Sequence, residues 1–164
     1  MKRMIVFAVS IMLAGSIYAA GSGGGGGGMG GGGGMGGAGA VKSQPSALEL
    51  YNQGYTAWKA ERYREAADSF KAAIAARADY AEAYNMLGFC TRKLGNVSGA
   101  FAYYEKALQL KPNFPEAREY YGEAYLEAGD LAKAVQQYII LEKGGSKNAD
   151  ELLEKIDAYV NKKS

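Results

Sequence analysis

One fixed interval runs through the chain and aligns it with itself. Gly54, Gly88 and Gly122 recur at that interval, as do Ala66, Ala100 and Ala134, and Phe70, Tyr104 and Tyr138. A period of this length holds two helices of about a dozen residues joined by a tight turn. The turns fall at Glu61-Arg62, Gly95-Asn96 and Gly129-Asp130, and Pro112 and Pro115 punctuate the passage from the second unit to the third, where one helix must stop before the next begins. A glycine on the first helix and an alanine on the second let the two backbones approach. The aromatic one turn beyond the alanine fills the gap on the same face. One such hairpin leaves an apolar face open, and only a stacked neighbour closes it. The period therefore predicts an all-α, right-handed superhelical solenoid of three helix-turn-helix repeats, about 47–80, 81–114 and 115–146.

The ends of the array are marked as well. Ser46 and Glu49 have the spacing of a capping box for the first helix. After Gly144-Gly145, Asn148 with Glu151 suggests the start of one more helix, with Leu152, Leu153, Ile156, Tyr159 and Val160 on one apolar face and charges opposite. This is the solvating cap a stacked array needs, over residues 147–164, and it brings the expected total to seven helices.

Residues 1–45 cannot belong to that core. Met1–Ala20 has the three parts of a secretory signal peptide: Lys2 and Arg3, an apolar run from Met4 to Ala14, and small residues up to Ala20. Cleavage after Ala19, Sec-type export and a periplasmic or secreted location are the expectations, with no stable membrane anchor after cleavage. From Gly21 to Gly39 every residue is glycine except Ser22, Met29, Met35 and Ala38. Residues 21–45 read as a flexible tether, the glycine-rich part reaching roughly 25 Å. The tract lacks the Gly-Lys-Ser/Thr ending of a phosphate loop.

Charge and composition exclude more than they assign. Setting Lys2 and Arg3 aside, 17 of the 19 basic residues remain against 17 acidic ones, and a neutral chain lacks the electrostatic footprint of nucleic-acid binding. There is no histidine and one cysteine, Cys90. The usual triads, zinc motifs and intramolecular disulfides are thereby removed. Cys90 reads as an inert core thiol, and the expectation is a chain that is not an enzyme and carries no cofactor or metal.

On these residues the chain resembles a tetratricopeptide repeat protein of a small, exported bacterial type. The middle unit carries the family's signature best, at Tyr84, Leu87, Gly88, Ala100, Tyr104, Ala107 and Pro112, and departs from it at Thr91. The first unit keeps Leu50, Gly54, Ala66, Phe70 and Ala73; the third keeps Gly122, Tyr125, Ala134 and Tyr138. The resemblance covers about residues 47–146. It implies a groove, lined by the first helix of each unit, that holds an extended peptide or a partner helix.

Carried onto this sequence, the groove comprises Leu48, Tyr51, Tyr55 and Trp58, then Asn85, Phe89 and Arg92, then Glu116, Glu119, Glu123 and Leu126. Tyr51, Tyr55, Trp58, Asn85, Phe89, Arg92, Glu119 and Glu123 are the partner-binding candidates. The groove would grade from aromatic to acidic, and its acidic end would favour a partner bearing Lys or Arg. Chaperone co-factor members of the family clamp a carboxylate with Lys, Arg and Asn; the matching positions here are Tyr51, Tyr55, Met86, Glu116 and Tyr120, which supply no cation. The resemblance thus implies a protein or peptide partner, as for an envelope scaffold or adaptor. The alternative is a structural or self-assembling envelope protein whose solenoid ends stack between copies.

Overall fold

A computed structural model describes residues 44–163; the leader, the glycine tract and the segment up to Ser43 lie outside the described residues. Seven α-helices and no strands follow among the described residues: α1 Ala47–Lys59, α2 Tyr63–Ala76, α3 Ala81–Lys93, α4 Val97–Leu110, α5 Pro115–Glu127, α6 Leu131–Lys143 and α7 Asn148–Lys163. The starts of α1, α3 and α5 keep the constant interval seen in the sequence, as do those of α2, α4 and α6. None of these helices is long and apolar enough to cross a membrane.

The turns follow one chemistry. Gly95 (φ 88°) and Gly129 (φ 84°) take the left-handed conformation that ends α3 and α5, and each is followed by a side-chain cap. Asn96 Oδ1 accepts from the Gly99 amide at 2.9 Å, and Asp130 Oδ1 from the Lys133 amide at 3.1 Å. The first unit must use Glu61 (φ 56°) there, with no side-chain cap following. At the entrance to the array the Ser46–Glu49 capping box forms, with the Ser46 amide donating to Glu49 at 2.7 Å. Pro115 stands in the first turn of α5, where its missing N–H costs nothing.

Inside each hairpin the glycine meets a ring. A Cβ built on Gly54 would lie 2.8 Å from Phe70, and one on Gly88 2.9 Å from Tyr104. Phe70, Tyr104, Ala66 and Ala100 are fully buried. The third unit departs from the expected pattern. A Cβ on Gly122 would meet Leu152 of α7, not Tyr138, and Tyr138 is only partly buried, its hydroxyl donating to Glu142 at 3.1 Å. The last helix therefore packs into the third hairpin as well as over it, and Leu152 and Ile156 share a core with Leu126, Ala134 and Leu141. Its start also differs from the expected Asn148–Glu151 box. Ser146 Oγ accepts from the Asn148 amide at 3.2 Å and donates to Asn148 Oδ1 at 3.0 Å, which leaves Asn148 Nδ2 for another partner.

A non-glycine residue in the left-handed region costs roughly 1–2 kcal/mol, against roughly 0.5–1 kcal/mol of extra chain entropy for glycine. Glu61→Gly is therefore expected to raise the urea-unfolding free energy by a few tenths to about 1 kcal/mol. An unchanged or lower value would show that the Glu61 backbone is not strained.

Candidate functional site

The odd-numbered helices share an inner face, and an aromatic row runs across it. Ring centroids lie 6.3 Å apart for Tyr51–Tyr55, 5.1 Å for Tyr55–Trp58, 5.8 Å for Trp58–Phe89 and 5.0 Å for Phe89–Tyr120. The periodicity explains the alignment: Tyr55 and Phe89 are one repeat apart and so occupy one position on successive inner helices. Tyr51, Trp58, Phe89 and Tyr120 are half-buried, and Tyr55 is exposed.

Between α1, α3 and α5 this row borders a cavity of about 330 Å³. Its wall includes Tyr51, Tyr55, Met86, Glu116 and Tyr120, all five positions that match the carboxylate clamp of other members. The clamp's cations are missing: four of the five positions are aromatic or apolar and the fifth is Glu116. Burial pushes the Tyr51 and Tyr120 phenols up to about 12, so both remain neutral donors. Glu82 on the rim is tied to Lys111 at 2.9 Å. Asn85, only 3% exposed, lines the same cavity with its Oδ1 unpartnered. A buried acceptor left unpaired is costly and calls for a donor.

The acidic half of the expected groove is arranged differently. Arg92 is buried, and its guanidinium is held by Glu123 at 2.7 Å and Glu127 at 2.5 Å. Burial alone works against its charge, and Tyr104, Glu123 and Glu127 more than offset that. The Tyr104 hydroxyl faces this guanidinium without reaching well-formed hydrogen-bond geometry. Glu123 is thus already neutralised from within the chain. Glu119 is 5% exposed and accepts from Asn148 Nδ2 of α7 at 2.6 Å. It anchors the last helix. Glu116 is exposed, and Leu126 is buried.

The one cysteine lies in the core. Cys90 is fully buried and burial pushes its thiol up to about 12, far from a thiolate at neutral pH. Among the described residues no cluster of three or more Cys, Asp or Glu side chains could hold a metal ion.

The tetratricopeptide repeat family matches residues 51–115 and again 92–156, together spanning α1 to α7. The chain belongs to the tetratricopeptide repeat family. One tetratricopeptide relative, trd-1 of Caenorhabditis elegans, is 29% identical over 107 residues, covering 65% of this chain; the chain spans only 14% of that protein's length. The first tetratricopeptide domain of Spaghetti (RPAP3), solved with an HSP90 peptide, superposes with a TM-score of 0.63 at 22% identity, covering 71% of this chain and 94% of that one. PcrH, solved with the chaperone-binding region of PopD, gives 0.63 at 21% identity, covering 71% and 92%. The fold of this tetratricopeptide chain is the one on which those proteins hold peptides.

The Glu119 contact generates a pH test within this tetratricopeptide array. Burial, and then the neighbouring Glu151 and Glu123 carboxylates, raise Glu119 to about 7 from an ordinary 4.5, against the lowering effect of the Asn148 bond. Between those pH values the folded chain holds more protons than the unfolded one, so stability falls as pH rises from about 4.5 through about 7. Glu119→Gln, which keeps an acceptor for Asn148, is expected to flatten that slope in melting temperatures measured from pH 5 to 8. An identical slope in wild type and variant would contradict the assignment.

Proposed function

We propose that this chain is an exported, non-catalytic adaptor that captures an extended segment of a protein partner in the cavity between α1, α3 and α5. The observation that carries the reading is the cavity itself. Tyr51, Tyr55, Met86 and Tyr120 give it aromatic and apolar wall at four of the clamp positions, Glu116 stands at the fifth, and Asn85, with its Oδ1 unpaired, lines it. Tyr and Trp supply large contact area at low entropic cost, which suits the centre of a binding site. The signal-peptide-like composition of Met1–Ala20 supports export, and the glycine-rich composition of the following tract suits a flexible tether. The peptide ligands of the RPAP3 and PcrH structures support a peptide as the class of occupant.

Affinity capture from a cell-envelope extract tests this. A Tyr55→Ala/Tyr120→Ala variant is expected to retain at least tenfold less of any specifically captured protein, with its helical circular dichroism unchanged. Such a loss is of hot-spot size. Equal capture by the two forms would remove the cavity as the working surface.

A further inference from the structure

We propose, resting on the groove reading above, that the segment it binds carries a bulky apolar residue and, three to five residues further toward α7, an Asp or Glu. The inner face has a second cavity, about 380 Å³, between α3, α5 and α7. Its wall holds four cations, Arg92, Lys93, Lys155 and Lys162, and two carboxylates, Glu123 and Glu127. Both carboxylates are spent on the Arg92 guanidinium. Lys93 leans toward the Phe89 ring at 5.4 Å, and neither Lys155 nor Lys162 makes an ion pair within the described residues. The acidic residues of α7, among them Glu151, Glu154 and Asp157, do not line this cavity. Its wall therefore carries a net charge of +2, with the lysines as the unsatisfied part.

The first cavity has the opposite bias. Glu116 stands on its rim, and Lys111 is committed to Glu82. An acidic residue beside the apolar anchor is disfavoured there, whereas one reaching the lysines is favoured. Two helices fix the separation. α3 contributes Asn85 and Met86 to one cavity and Arg92 and Lys93 to the other; α5 contributes Tyr120 to one and Glu127 to the other. Seven helical positions span roughly 10 Å. Adding the sideways step of one helix gives roughly 10–15 Å, or three to five residues of extended chain at about 3.3 Å each. This acidic subsite is distinct from the clamp positions, none of which carries a cation.

Exposed lysines contribute modestly one by one and are screened by salt. A preference of about tenfold is expected from the three together. The probe is an array of decapeptides with Leu, Phe or Trp near one end and Asp, Ser or Lys scanned through the other positions. It is read with the full chain, with Lys155→Glu/Lys162→Glu and with Tyr55→Ala. Both substituted lysines are exposed, so folding is not at issue. The expected result is about tenfold better retention of Asp than Lys peptides three to five residues from the anchor. That preference should shrink in 0.5 M salt (Debye length about 4 Å) and reverse in the double-lysine variant. Equal retention of Asp and Lys peptides, with both lost in Tyr55→Ala, would overturn the acidic subsite and leave the groove reading standing. No retention of any peptide would overturn both. A mass that doubles with concentration, at the expense of peptide binding, would assign the groove to a second copy and overturn the proposal.

Discussion

Two helices can pack closely only where one gives up its side chain, and in this protein that place is a glycine facing a ring. Gly54 against Phe70 and Gly88 against Tyr104 set the approach of the first two hairpins. The rest of the architecture follows from that distance. Close approach within a hairpin buries Ala66 and Ala100 completely and turns the remaining face of each first helix inward. Stacking at the repeat interval then aligns Tyr55 with Phe89, and a row of rings results without any residue being placed for it separately. The groove is a by-product of the packing rule.

The third hairpin shows what happens when the array runs out of repeats. Its glycine receives Leu152 from the last helix, and Glu119 reaches up to Asn148. α7 is therefore held to α5 by apolar packing through Leu152 and Ile156 and by a polar contact through a carboxylate that is hard to ionise there. The same docking brings Lys155 and Lys162 beside Arg92 and Lys93. A helix that closes the core thus also finishes the inner face, and the electrostatic character of that face depends on it.

Much of this is legible in the residues. The period, the turn positions, the Ser46–Glu49 cap and the burial of Cys90 all rest on local spacing, which a sequence displays directly. The differences between the expected and observed surroundings have a common cause, because they concern partners far along the chain. Arg92, Glu119 and Glu123 have the pattern of exposed inner-face residues. Whether a charge there meets solvent or a carboxylate on the next inner helix depends on the stacking geometry. Gly122 promises a contact with Tyr138 by analogy with the first two units, but α7 lies outside the period and nothing in its pattern names the slot it fills. The lysines of α7 read as a solvated face for the same reason. Leader and tether readings, on residues 1–45, concern a part of the chain almost wholly outside the described residues.

The account stands on one claim, that the inner face of the odd-numbered helices is where a partner lies. Site-specific photocrosslinking tests it most directly. A photoreactive phenylalanine analogue would replace Tyr55 on the inner face in one chain and Ile139, exposed on α6, in another. After irradiation in the cell, adducts to a second protein from position 55 and none from position 139 are the predicted result. Adducts from position 139 alone would place the partner on the outer helices and contradict the account.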